Sequence, residues 1–130
     1  MAIKYKVIQQ EMTIKSGEQV PRYYARACDR SRMDLEAISK IISQRSSLSP
    51  GDIQHVLTAL TELVPELLVN NQTVHLGDLG TISLHLRSRG EDSPKAVTSR
   101  SITDVRAAFR AGQKLKKGLT DARFVKKATE

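Results

Sequence analysis

Thr73-Val74-His75-Leu76-Gly77-Asp78-Leu79-Gly80-Thr81-Ile82-Ser83-Leu84-His85-Leu86-Arg87 is the stretch on which the fold turns. Val74 and Leu76, then Ile82, Leu84 and Leu86, alternate with His75, Ser83, His85 and Arg87, the period-2 pattern of a strand buried on one face. Between the two runs, Leu76-Gly77-Asp78-Leu79-Gly80-Thr81 predicts a tight turn whose glycines supply unusual backbone angles.

Upstream of this stretch the period is helical. Asp34 is placed to cap a helix over about 35–46, with Leu35, Ile38, Ile41 and Ile42 on one side. Ser49-Pro50-Gly51-Asp52 signals a second helix start: Ser49 as N-cap, Pro50 in the first turn, Asp52 at the positive end of the helix. Ile53, Val56, Leu57, Leu60, Leu63, Val64, Leu67 and Leu68 form a stripe wide enough for more than one neighbour. Pro65 predicts a bend, and Asn70-Asn71 the end of the helix. Nearer the N-terminus, Ile3, Tyr5 and Val7 alternate with Lys4 and Lys6, predicting a strand over 3–11. A loop over 13–21 and a second strand over 22–28 follow.

Downstream, Gly90-Glu91-Asp92-Ser93-Pro94-Lys95 has no apolar anchor and reads as an exposed tip. Val97, Ser99, Ser101, Thr103 and Val105 then read as a returning extended strand. A ribbon with so few large apolar groups cannot bury itself, so it is expected to project into solvent. Phe109-Arg110-Ala111-Gly112 leads into a short helix, about 112–119, with Lys114, Lys116 and Lys117; the tail carrying Arg123, Lys126 and Lys127 is expected to fray. The fold class is α+β: a helical hairpin base, a small antiparallel sheet with a projecting β-arm, and a short C-terminal helix.

With 130 residues, 39% hydrophobic and 27% charged, the chain suits one compact globular domain. Aromatics are 4%, which leaves little material for stacking single-stranded bases. The net charge of +7 favours a polyanionic partner. Residues 1–79 hold 9 Lys/Arg and 9 Asp/Glu, and residues 80–130 hold 12 and 5, so the linear sequence assigns all the excess to the C-terminal part. Arg87, Arg89, Lys95, Arg100 and Arg106 decorate the arm.

Several chemistries find no support. Cys28, the single cysteine, allows no intramolecular disulfide and reads as a small buried side chain in a reducing cytoplasm. His55, His75 and His85 form no metal-ligand spacing with it, although His75 and His85 lie on consecutive strands where a hairpin would make them neighbours. No nucleophile elbow, P-loop or dinucleotide fingerprint is present. The alternating charges of residues 1–6 argue against a signal peptide, and no run approaches about 18 apolar residues. The expectation is therefore no catalytic residue, metal, cofactor, small-molecule substrate or membrane.

In the order of its elements and in three stretches the chain resembles the bacterial histone-like HU and integration host factor family of DNA-bending proteins, specifically an HU-like group with an N-terminal extension. Leu76-Gly77-Asp78-Leu79-Gly80-Thr81-Ile82 is similar to the family's glycine–aromatic–glycine–serine turn, with Leu79 where an aromatic usually stands. Phe109-Arg110-Ala111-Gly112-Gln113-Lys114-Leu115-Lys116 resembles its Phe-Lys-Ala-Gly entry into the last helix, and the arm between them has nearly the usual length. The tip departs from the family's Arg-Asn-Pro motif: Pro94 stands as the wedge, while Glu91 and Asp92 place negative charge where phosphate approaches.

The resemblance implies an extension over 1–32, an HU-like domain over 33–124 and a basic tail over 125–130. It further implies an intertwined homodimer at the nucleoid that binds and bends double-stranded DNA with little sequence preference. Contacts are expected at Arg87, Arg89, Lys95, Arg100, Arg106, Arg110, Lys114, Lys116 and Lys117, with the backbone of Gly80-Thr81 as a phosphate site and Pro94 as the wedge. Two other readings stay open on the residues: an HU-scaffold protein-interaction or structural module with weak bending, and an RNA-binding protein.

Overall fold

Local hydrogen bonds start both long helices in the computed structural model, which describes residues 2–128. Asp34 Oδ1 accepts from the Ala37 N–H at 2.9 Å and opens α1 (Leu35–Gln44); Ser49 Oγ accepts from the Asp52 N–H at 3.2 Å and opens α2 (Pro50–Val69). Each cap satisfies one of the N–H groups that a helix start leaves without an internal partner. α2 continues past Pro65 to its C-cap at Asn70. The two helices pack as a hairpin. Ile53, Leu68 and Val74 are buried, and Ser39 is enclosed with its hydroxyl donating to the Leu35 carbonyl at 2.6 Å. Leu57, Leu60, Val64 and Leu67 are half-buried, but Val56 and Leu63 are 66% and 46% exposed, so the chain covers only one side of the stripe.

The same unit, residues 34–118, holds an antiparallel sheet in the order β3 (Val74–His75), β4 (Gly80–Ser88), β5 (Ile102–Ala111), followed by α3 (Gln113–Leu119). β4 and β5 pair from Gly80↔Ala111 to Arg87↔Asp104, and a register shift after Arg87 brings Ser88 opposite Ile102. The extended return expected from Val97 is corrected here. Pro94–Ala96 and Ser99–Ser101 are 3-10 turns, and β5 begins only at Ile102. Thr98 Oγ1 accepts from the Arg100 N–H at 3.3 Å and Ser101 Oγ from the Thr98 N–H at 3.1 Å. These side chains offer the backbone an alternative to a strand ladder.

A second unit gathers residues 2–33 and 119–128. β1 (Ile3–Thr13) and β2 (Gln19–Ala27) form a hairpin in register from Tyr5↔Ala27 to Thr13↔Gln19. Its turn places Gly17 at φ 84 and closes with the Ile14 N–H donating to the Glu18 carbonyl at 3.0 Å. The tail expected to fray instead returns as β6 (Phe124–Lys126), parallel to β1 with Ile3↔Phe124 and Tyr5↔Lys126. The Lys127 N–H donates to the Tyr5 carbonyl at 2.8 Å, and Lys127 Nζ meets Asp29 Oδ1 at 3.1 Å. Residues 129–130 of that tail lie outside the described residues. Cys28, expected to be buried, is half-buried and free.

Candidate nucleic-acid interface

Strand alternation sorts the β4–β5 ribbon into two unlike faces. Thr81, Ser83, His85 and Arg87 share one side, opposite Arg110, Ala108, Arg106 and Asp104. Ile82, Leu84, Leu86, Val105, Ala107 and Phe109 share the other. Arg87, Arg106 and Arg110 therefore converge on a single surface, and all three are exposed. Asp104 is the acid within that surface; its Oδ2 accepts from Arg106 Nε at 3.0 Å and takes up part of the arginine's charge.

At the base of the ribbon the turn and the last helix are locked together. The Leu76 N–H donates to the Gly80 carbonyl at 2.8 Å, and the Gly112 N–H to the Leu79 carbonyl at 2.9 Å. Gly80, at φ 155, has no room for a side chain: a Cβ would stand 2.5 Å from the Arg110 carbonyl oxygen and from the Phe109 ring. A Cβ on Gly112 would collide with the Asp78 carbonyl. Gly80 is buried with its carbonyl engaged, and both its φ and the close packing require glycine. Thr81 is the partner that reaches the surface, its Oγ1 2.8 Å from His75 Nδ1. Thr81, Arg110 and Lys116 line one cleft of about 320 Å³ with His75 and Gln113, with Asp78 at its acidic side. Gln113 was not singled out by sequence reasoning, and His75 only as a neighbour of His85. The strand parity of His75 with Thr81, and the position of Gln113 just after the Phe-Arg-Ala-Gly motif, were the available signals.

The tip is a closed structure. Glu91 Oε1 accepts from Arg89 Nε at 2.8 Å and from Ser101 Oγ at 2.9 Å, and Ser101 is fully buried. Those two donors, Arg89 first, hold the Glu91 carboxyl below its ordinary range, and desolvation only partly opposes them. The charge that Glu91 was expected to turn against phosphate is thus met by Arg89 within the arm. Asp92, Pro94, Lys95 and Arg100 remain exposed around it.

On α3, Lys114 borders Asp78, Leu79 and Leu115, whereas Lys116 faces the Thr81–Arg110 cleft, and Lys117 lies in the last turn. The arm, tip and α3 residues thus form three groups; the structure brings Thr81, Arg110 and Lys116 into one cleft and leaves Lys114 beside another. His75 and His85 are not neighbours: His75 pairs with Thr81 and His85 with Arg106. Among the described residues no three metal-ligating side chains cluster, and no helix is long and apolar enough to cross a membrane.

Comparison with known proteins then supplies a family context. A family model described as an HU domain fused to wHTH, Ig, or glycine-rich motif matches residues 1–126. A solved protein from Bacteroides vulgatus ATCC 8482, assigned as a bacterial DNA-binding protein, is 14% identical with a TM-score of 0.63 over 96% of this chain. This chain spans 48% of that protein's length. An Anabaena HU–DNA cocrystal structure is 20% identical with a TM-score of 0.53, covering 68% of this chain and 99% of that one. Both likenesses concern the fold. No curated protein matches.

Proposed function

The chain belongs to the HU-HIG family, HU domains fused to wHTH, Ig or glycine-rich motifs, and from that premise we propose that it is a histone-like, non-enzymatic binder of double-stranded DNA. The observation that carries the reading is the one-sided ribbon: Arg87, Arg106 and Arg110 on a single exposed face, running at its base into the Thr81–Arg110–Lys116 cleft. Such a surface neutralises phosphates and releases their counterions, whatever the base sequence. Contacts from arginine and lysine to phosphate carry no base information, so preference among sequences arises from how readily the duplex deforms. The Bacteroides and Anabaena relatives, one assigned to DNA binding and the other seen with DNA, support the same partner.

Bending follows from the tip. Pro94 opens an exposed 3-10 turn, a rigid apolar ring suited to press between base pairs and kink the duplex. The Arg89–Glu91–Ser101 closure holds that turn in shape and removes much of the repulsion Glu91 would otherwise exert. A second copy of the chain completes the arrangement. The uncovered Val56–Leu63 side of α2 is apolar, and a two-fold partner buries it while presenting two arms to one duplex. The proposed DNA-binding part spans residues 33–124, working at the nucleoid.

Titration of a labelled duplex at several salt concentrations tests the reading. Binding at low salt that falls steeply as salt rises supports it, and absence of binding at low salt rejects it. Running the same titration with duplex RNA as competitor separates DNA from RNA, and a circularisation assay on short fragments reads bending directly.

A further inference from the structure

Averaged over residues 1–79 the charge is balanced, but residues 2–33 hold 7 Lys/Arg against 3 Asp/Glu. Regrouped by the fold, residues 2–33 and 119–128 hold 10 Lys/Arg against 4 Asp/Glu, whereas residues 34–118 hold 11 against 9. Most of the excess belongs to the unit built around the small sheet β2-β1-β6, not to the arm-bearing unit.

Within that sheet the charge is sorted by face. Lys4, Lys6, Ile8, Gln10 and Met12 share one side of β1, and the register sets Arg26 opposite Lys6, Tyr24 opposite Ile8 and Arg22 opposite Gln10. Glu11 points to the other side, so no carboxylate of the paired strands stands on this face. Lys4, Lys6, Arg22 and Arg26 are all exposed, and none takes part in an ion pair among the described residues. Like charges directly opposite one another weaken a strand pair. Lys6 faces Arg26 across about 5 Å, and Lys4 stands about 7 Å further along β1. A surface of this kind is relieved by an extended array of negative charge.

We infer that this face is a second contact surface for the phosphate backbone of duplex DNA, centred on Lys4, Lys6, Arg22 and Arg26, an inference that rests on the arm being a DNA-binding device. The chain passes between the two units at residues 33–34 and again at 118–119, directly after the lysines of α3. A duplex held by the arm and α3 is therefore presented to the sheet at the effective concentration that a short tether provides, which favours DNA over other polyanions.

The test compares three forms of the full chain on a labelled duplex across a salt series: the unaltered protein; a variant with Lys4→Gln, Lys6→Gln, Arg22→Gln and Arg26→Gln; and an arm variant with Arg87→Gln, Arg106→Gln and Arg110→Gln. The sheet variant is expected to bind about tenfold or more weakly near 0.1 M salt, and to flatten the slope of log affinity against log salt by about 3. A sheet variant that keeps the original affinity and slope, while the arm variant loses both, overturns the second surface and leaves the arm's role standing. No binding by the unaltered protein at low salt overturns both. Lys6→Glu separates binding from folding. It places a carboxylate opposite Arg26, so the melting temperature should rise while DNA affinity falls; a rise with unchanged affinity counts against the inference. Loss of retention on phosphatidylglycerol vesicles by the sheet variant, with its DNA binding intact, would hand the surface to lipid and overturn DNA as its occupant.

Discussion

The carboxylate of Glu91 accepts the hydroxyl of Ser101 at 2.9 Å, closing the tip of the arm between residues ten apart in sequence. Ser101 is fully buried in a segment whose neighbours are nearly all exposed, and the Arg89 N–H donates to its carbonyl at 2.9 Å. Acid should open this closure. Arg89 and Ser101 lower the folded-state pKa of Glu91 relative to the unfolded chain. The stabilisation is therefore fully present above the ordinary carboxylate range and is lost as the pH falls through the lowered folded value. Amide exchange of Arg89 and Ser101, corrected for its intrinsic pH dependence, should accelerate over that acid window in the unaltered protein. In Glu91→Gln it should be fast throughout and lose the pH step; an identical step in both proteins would assign the titration to another group.

Gly80 and Gly112 should tolerate no larger residue. Gly80→Ala forces a Cβ against the Arg110 carbonyl and the Phe109 ring at a φ that L residues rarely adopt, and Gly112→Ala drives one into the Asp78 carbonyl. Each should cost about 2–4 kcal/mol, from overpacking at both positions with backbone strain added at Gly80. Gly90→Ala, with open space around it, is the control and should stay within about 0.5 kcal/mol. Denaturant unfolding measures all three, and a mild effect at Gly80 would mean that the turn shifts to relieve the contact.

What could be read in the sequence was what short-range chemistry decides. Asp34 and Ser49 announce helices because a cap oxygen and the N–H that donates to it lie three residues apart, and the Ile82–Leu84–Leu86 alternation becomes β4 because one face of the ribbon is apolar. The Phe109–Gly112 motif likewise gives the entry to α3. The failures are non-local. Phe124-Val125-Lys126 is too short and too charged to announce a strand, and it becomes one only because β1 offers an unpaired edge some 120 residues earlier. Ser99 and Ser101 fit the period of a strand until Glu91 buries Ser101 and Thr98 caps a 3-10 turn. The charge of the unit formed by residues 2–33 and 119–128 was only partly hidden: residues 2–33 alone hold 7 Lys/Arg against 3 Asp/Glu, and β6 with its flanking cations adds the rest only after folding. The contacting residues were legible as a list of cations. Their sorting onto one face was not, because it depends on the β4–β5 register.

Asp104 should act as a brake on DNA binding. It lies opposite Arg87 and bonds Arg106 Nε at 3.0 Å, on the face proposed to meet phosphate. The pair is exposed, so its own stability contribution is at most about 1 kcal/mol, and removing the acid should barely change the melting temperature. Asp104→Asn should nevertheless tighten duplex binding about two- to fivefold at low salt, because it frees Arg106 and removes a repelling charge. Arg106→Gln should weaken binding and reduce the salt slope by about 1. If Asp104→Asn binds no more tightly than the unaltered protein, this face of the ribbon is not the one that meets the duplex.

The exposed side of α2 makes the last prediction. Val56 and Leu63 are seven residues apart, on the same helical face two turns from one another, and they stand 66% and 46% exposed while Ile53 and Leu68 are buried. A single chain leaves this apolar strip in water, where it contributes nothing to folding. A two-fold partner removes it from water at about 25 cal/mol per Å². Stability should then depend on protein concentration, the melting temperature rising as the chain is concentrated. Val56→Asp and Leu63→Asp should shift the protein to a monomer in analytical ultracentrifugation and lower its melting temperature. Both should also weaken duplex binding, because one arm alone makes half the phosphate contacts. Monomeric behaviour of the unaltered protein at high concentration, with a concentration-independent melting temperature, would show that the strip serves another partner.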